Sequence, residues 1–409
     1  MGSDTCCLFP AIPCRNKQQT PHSVPTSLKF HAVAGTEHGA YRLAQKKSAR
    51  GTTPRGEEQM IDASRRFAWA SLAAMVAWMV AGGATAMAQE CKNRGQLDTL
   101  YCDENNDLVA DVPTDPKKLR DPSALVFAYT PVEDPAVYQN VFKPLTDFLA
   151  QCTGKRVVYY PVQSNSAEIE AMRSGRLHVA GFSTGPTGFA VNMAGAVPFA
   201  AKGTEKGPHG YHLLSIVKKD SPYQKLADLK GKRVAHTSPS SNSGHLAPLV
   251  LYPSEGLKPN EDYKPLMSGG HDKSALGVVS GDYDMAGVAS DVFERMITRG
   301  TLKADDFRII FTSPLFPTSS FAHAHDLHPD LSKKIRACFF AFDFPPSMRK
   351  EFNGDDRFFP ITYKDAWKVV REIAEGSGTP YNKAAFEAEA KREAEALAKK
   401  QQEQAAPKQ

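Results

Sequence analysis

The sequence predicts an α/β protein of two lobes, each a parallel sheet covered by helices, with a hinge between them. Three observations carry this expectation. Short apolar strands alternate with amphipathic helices from Leu125 onward, and such alternation implies parallel strands joined by covering helices. The same alternation begins a second time after Tyr211. Extended segments join the two blocks, the arrangement of a hinged cleft that closes on a guest.

Taken in order, Leu125–Tyr129 reads as a buried strand. Pro135–Cys152 reads as an amphipathic helix, with Val137, Val141, Phe142, Leu145, Phe148 and Leu149 on one side. Lys155–Tyr160 is the next strand, Ser166–Gly175 the next helix and His178–Phe182 the third strand. Tyr211–Val217 is an extended crossing. In the second block Lys232–His236 is a strand and Leu246–Leu251 opens a helix. Tyr283–Val288 and Phe307–Phe311 follow as strands, and Phe321–Ala324 recrosses to the first block. The expected organisation is lobe 1 over 122–213 and 320–380, and lobe 2 over 214–319. An extension covers 89–121, and residues 381–409, rich in Ala, Glu, Lys and Gln, read as a solvated helix or frayed tail.

Ligands of open α/β sheets sit at the carboxyl ends of strands, and four segments fall there. They are Tyr129-Thr130-Pro131, then Ser183-Thr184-Gly185-Pro186, then Ser240–Gly244, and Ser268-Gly269-Gly270-His271 taken with Ser290-Asp291. The third is the most informative. A helix start carries unpaired N–H groups and a partial positive charge. Crowding it with Ser240, Ser241, Asn242 and Ser243 makes a compact cup of neutral donors suited to an oxyanion. A single cap residue would satisfy an ordinary helix. Asp291 and Tyr129 also fit plainer roles as a helix cap and a core residue. His323, His325 and His328 look like a metal cluster, but their spacing reads as an accidental surface group, so no metal and no cofactor is expected.

The net charge of +5 comes from the front of the chain. Residues 1–88 hold ten Lys/Arg and five acids, leaving 40 of each beyond, so no nucleic-acid partner is indicated. From Met60 the chain has the three parts of a secretory signal: Arg65-Arg66, the apolar run Phe67–Val80, and Ala86-Met87-Ala88 ahead of Gln89. A membrane anchor needs roughly 20 apolar residues, and this run is shorter. Cleavage after Ala88 and a periplasmic location are expected. Residues 1–59 have the composition of disorder, and Met60 is the expected initiator, with the upstream segment misassigned. Four cysteines remain after cleavage. Cys91–Cys102 is the preferred disulfide, while Cys152 and Cys338 form a second bridge or stay as buried thiols.

Four motifs in order resemble the phosphonate-binding family of periplasmic proteins that serve ABC transporters, including its phosphate- and phosphite-binding members. They are Ser241-Asn242-Ser243-Gly244, Ser268-Gly269-Gly270-His271-Asp272 with its apolar helix, Asp291 ahead of Val292-Phe293-Glu294, and Ser313-Pro314-Leu315-Phe316-Pro317. The resemblance covers roughly residues 122–350. It implies a periplasmic-binding-protein-like fold of type II and a phosphoryl group held by Ser241, Asn242 and Ser243. Around it the resemblance places Tyr129, Ser183 or Thr184, His271 and Asp291. Asn242 stands where the family usually has Thr and still offers an amide donor. Where aminophosphonate binders carry a carboxylate after the Ser-Pro turn, this chain has Thr318-Ser319-Ser320, which implies a smaller oxyanion or one with an uncharged tail. The expected partners are a small phosphorus oxyanion and an ABC permease, the chain itself being a monomer. An enzyme acting on phosphate esters is the alternative, against which stand the missing Gly-x-Ser-x-Gly elbow and P-loop. A sensor docking a signalling receptor is the other.

Overall fold

The computed structural model describes residues 91–405, so the upstream segment and the export signal expected over 1–88 lie outside the described residues. Lobe 1 opens with strand β1 (Ala124–Tyr129). Helix α1 (Ala136–Thr153) follows because Tyr138, Phe142, Leu145 and Leu149 recur at three- and four-residue spacing and bury one stripe. Gly154, in the left-handed region at φ 72°, ends it. Strand β2 (Arg156–Tyr159), helix α2 (Asn165–Arg173), strand β3 (Val179–Phe182), helix α3 (Thr184–Ala194) and strand β4 (Ala196–Thr204) complete the first pass. Every residue of α3 is buried, so it is a core helix rather than a surface one.

The chain then crosses to lobe 2. Its elements are β5 (Leu213–Lys218), β6 (Val234–His236), α4 (Ala247–Leu251), β7 (Leu266–Met267), α5 (His271–Ser280), β8 (Met285–Ala289), α6 (Ser290–Thr298) and β9 (Phe307–Thr312). It returns to lobe 1 through β10 (Ser320–Ala324). After that come α7 (Pro329–Phe340), α8 (Pro346–Glu351), β11 (Arg357–Pro360), α9 (Lys368–Gly376) and α10 (Lys383–Ala405).

The first sheet runs β11-β4-β10-β3-β1-β2 and the second β9-β5-β8-β6-β7. β1 is parallel to β2 and β3, and β6 is parallel to β8 and β7. The expected parallel strands are present in both lobes, and each sheet also takes in antiparallel strands. β10 lies antiparallel between β3 and β4, and β5 lies antiparallel to β8 and β9. The reason is directional: the parallel strands end at the cleft, whereas a strand arriving from the other lobe starts there and runs away. Each sheet has its own core. Lobe 1 is aromatic, with Phe321 and Phe339 both within 4.8 Å of the Phe358 ring centroid, and lobe 2 is aliphatic around Ile216, Val234, Leu246 and Met285.

Two expectations change. The tail is not wholly solvated: most of its described residues are exposed, but α10 buries Phe386, Glu389 and Glu393 along one face against lobe 1. His323 is buried inside β10 rather than on the surface. Cys91 is joined to Cys102, and Cys152 to Cys338. The second bridge ties α1 to α7 across 186 residues of sequence, and a long closed loop restricts the unfolded chain most. The variant Cys152→Ala/Cys338→Ala is expected to lose about 2–4 kcal/mol of unfolding free energy in denaturant titrations. An unchanged midpoint would show that the bridge carries no stability.

Candidate functional site

Both lobes contribute to one cavity of about 400 Å³. Its floor in lobe 2 is the turn after β6. Ser241 is the cap: its Oγ accepts from the Gly244 amide at 3.1 Å. Winding then starts at Asn242, earlier than the sequence suggests, as a single π turn over Asn242–Leu246 that runs directly into α4. Such turns are rare and concentrate at functional sites. The wide turn leaves the first amides, those of Asn242 and Ser243, ahead of any acceptor within the helix. Ser243 Oγ and Asn242 Oδ1 are buried without a hydrogen-bond partner in the protein, while Asn242 Nδ2 donates to Tyr211 Oη at 3.2 Å. Buried polar groups are normally paired, so these atoms are arranged for a guest.

Lobe 1 supplies the facing wall. Ser183 and Thr184 open α3, and Thr184 is held from two sides. Its Oγ1 donates to Pro317 O at 2.9 Å, and its carbonyl accepts from the indole of fully buried Trp367 at 2.8 Å. Tyr129 ends β1 with its hydroxyl 3.0 Å from Ser319 Oγ. The lobes are closed on each other. Asn165 Nδ2 donates to Ser240 Oγ at 3.1 Å, and the His271 amide donates to Val132 O at 3.1 Å. Gly185 lies so close that a Cβ there would sit 2.0 Å from Ser240 O.

His271 begins α5 and is buried. Burial pushes its pKa down to about 4, so the ring is neutral at pH 7. The Ala289 amide donates to its Nδ1 at 3.1 Å, which places the remaining proton on Nε2, 3.5 Å from Ser241 Oγ and facing the cavity. Asp291, in the first turn of α6, has Oδ2 3.6 Å from Arg295. That guanidinium is buried and also donates to Glu133 of lobe 1 at 3.2 Å. Among the described residues no group of three or more His, Cys, Asp or Glu side chains is placed to hold a metal ion.

All eight candidates named from the sequence, Tyr129, Ser183, Thr184, Ser241, Asn242, Ser243, His271 and Asp291, line this one cavity. Sequence reasoning missed Asn165, Tyr211 and Thr237, which also line it, as do Thr318 and Ser319 of the stretch singled out after the Ser-Pro turn. Tyr211 lay in a segment already read as a crossing, so it had a signal. The charged residues Arg392, Glu393 and Glu395 of α10 also reach the cavity, and nothing local in that low-complexity stretch announced it.

The family described as "ABC transporter, phosphonate, periplasmic substrate-binding protein" matches residues 127–366. The "Phosphate-import protein PhnD" of Mycolicibacterium smegmatis is 29% identical over 263 residues, 61% of this chain and 81% of that protein. The "Phosphonates-binding periplasmic protein" of Escherichia coli is 26% identical over 230 residues, 55% of this chain and 68% of that one. Among solved structures, the binding-protein component of an ABC phosphonate transporter from Pseudomonas aeruginosa is similar with a TM-score of 0.57 at 22% identity. It covers 70% of this chain and 99% of its own. PhnD1 from Prochlorococcus marinus, in complex with methylphosphonate, gives a TM-score of 0.56 at 20% identity, covering 62% and 98%.

Two outcomes follow from the geometry. A base whose pKa is depressed by folding costs stability as pH falls from its unfolded value, so the neutral His271 site weakens from pH 6.5 toward 4. NMR titration is expected to show Nε2–H tautomer signals for His271 down to about pH 5; an apparent pKa near 6.5 would contradict the assignment. Gly185→Ala is expected to wedge α3 away from the Ser240 backbone and lower ligand affinity by about tenfold or more. Calorimetry showing wild-type affinity would remove that contact from the account.

Proposed function

Because the chain belongs to the family of periplasmic substrate-binding proteins of phosphonate ABC transporters, we propose that its cavity seats an organic phosphonate with the phosphoryl group in the Ser241–Ser243 cup. The chain is the solute-binding component, and its family works in the periplasm with a membrane permease. The observation that carries the ligand reading is the buried, unpartnered hydroxyl of Ser243 beside the first amides of the helix start; Asn242 Oδ1, also buried and unpartnered, is an acceptor and suits the P–OH of a protonated oxyanion. Hydrogen bonds to a charged group contribute about 1.5–3 kcal/mol each. Four or five of them contribute about 6–15 kcal/mol; less an association cost of at least ~4 kcal/mol, the upper part of that range reaches micromolar binding, which corresponds to about −8.2 kcal/mol.

Tyr129, Ser183 or Thr184, and His271 Nε2–H complete the grip from the other sides. Asp291 accepts a hydrogen bond from a P–OH, which favours a protonated oxyanion over a sulfonate that has no such proton. Size favours a substituted phosphonate over bare phosphate. At ~30 Å³ per water, a cavity of about 400 Å³ holds more than ten waters' volume, and Pro131, Val132, Met267 and Val292 give it apolar walls for a substituent. Phosphate remains the second reading, favoured by the mycobacterial relative's name.

Binding without turnover is also part of the proposal. Ser241 and His271 look like a nucleophile and its base, but the proton on Nε2 points at the serine. The imidazole therefore donates and cannot take the hydroxyl proton. The export signal with cleavage after Ala88, the monomeric state and the roles of the named side chains belong to the same proposal, supported by the residue patterns above.

Calorimetry with methylphosphonate, phosphate and methanesulfonate tests it. Methylphosphonate is expected to bind at micromolar concentration or tighter, and methanesulfonate about tenfold weaker or worse. Ser243→Ala is expected to weaken methylphosphonate by about tenfold or more, the loss of one hydrogen bond to an anion. Undetectable phosphonate binding, or hydrolysis of a phosphate monoester, would overturn the reading.

A further inference from the structure

Helix α10 lies beyond the family match, which ends at residue 366. Even so, Arg392, Glu393, Glu395, Ala396 and Leu397 line the same cavity as the cup. An Ala- and Glu-rich helix has little apolar surface with which to hold itself against a protein. Its docking is concentrated in a few contacts with lobe 1. Phe386 is 5% exposed and packs on Phe189 of α3 with ring centroids 5.8 Å apart. Just before the helix, Tyr381 lies against the same α3 face, its carbonyl accepting from Asn192 Nδ2 at 2.7 Å. A Cβ at Gly188 would sit 2.2 Å from the Tyr381 ring, so this approach needs a glycine.

Seven residues after Phe386, two turns on and on the same face, Glu393 makes the polar anchor. It is 8% exposed, and its Oε2 accepts from the Ser166 amide at 2.9 Å. Ser166 lies in the first turn of α2, where unpaired amides and the helix dipole favour a carboxylate. The residue before it, Asn165, lines the cavity and bonds to Ser240 across the cleft. Glu393 is thus fastened beside the point where the two lobes touch.

We propose that α10 is the roof of the ligand site, that Glu393 is the positioning residue holding it down, and that this roof limits the size of phosphonate substituent the chain accepts. The inference rests on the phosphonate reading. The cup grips the phosphoryl end, so the substituent occupies the rest of the cavity, where Glu393, Glu395, Ala396 and Leu397 form a wall. A small alkyl group fits beneath it. A bulky ring must displace it, at the cost of the Ser166–Glu393 hydrogen bond.

The test compares methylphosphonate with phenylphosphonate by calorimetry on the full chain and its variants. In Glu393→Ala the roof loses its anchor, and the affinity of phenylphosphonate relative to methylphosphonate is expected to rise by about tenfold. Glu393→Gln keeps an acceptor for the Ser166 amide, so its ratio is expected to stay within about threefold of wild type. Leu397→Trp thickens the roof and is expected to move the ratio the opposite way, and it decides the matter if Glu393→Ala does not fold. A wild type that binds methylphosphonate, with the same ratio in all variants, overturns the roof and leaves the phosphonate reading standing. A wild type that binds neither phosphonate overturns both.

Discussion

The cleft depends on one turn, in which Ser241 caps a helix start wound wide enough to leave amides and side chains without partners. Leaving such groups unpaired costs on the order of 1–3 kcal/mol apiece. The fold tolerates this because the turn is fixed from behind. Leu246 and Ala247 are fully buried in the lobe 2 core, and Tyr211 takes up the Asn242 amide nitrogen. A guest whose oxygens accept from the Ser243 hydroxyl and the helix-start amides, and whose P–OH donates to Asn242 Oδ1, satisfies these groups.

The cup carries no formal charge, and the nearest charges are arranged to act on closure. Asp291 faces the cavity and Arg295; Arg295 and Arg299 both reach Glu133 of lobe 1, and Arg299 also pairs with Glu351. A buried arginine shared between carboxylates of the two lobes is stable only while they are together, because separation leaves charge uncompensated. This network links the site residue Asp291 to the lobe interface through one side chain.

Much of this was legible in the sequence, and the reasons differ by element. The strands Leu125–Tyr129 and His178–Phe182 are short apolar runs bounded by turn residues, so the parallel half of each sheet could be read. The four strand-end segments could be read because neutral donors crowded at a helix start have few other uses, and all eight of their singled-out residues face one cavity. The strands Ala196–Thr204 and Arg357–Pro360 were missed because their antiparallel pairing with each other, and that of Ala196–Thr204 with Ser320–Ala324, is long-range. The π turn was invisible for a different reason: its residues are ordinary cap formers, and the close approach of Gly244 to Thr237, which leaves no room for a Cβ, is a contact in space rather than a local pattern. Residues 383–397 have the composition of a solvated helix, and what docks them is a single phenylalanine and one glutamate meeting an amide in another element.

The central claim is that these uncharged donors hold a phosphorus oxyanion between the lobes. A crystal structure of the chain grown with methylphosphonate tests it most directly. The account predicts phosphoryl oxygens within hydrogen-bond distance of Ser241 Oγ, Ser243 Oγ and the Asn242 and Ser243 amides, with the methyl group turned toward α10. Phosphonate density elsewhere, or an empty cup in a closed cleft at saturating ligand, would contradict it.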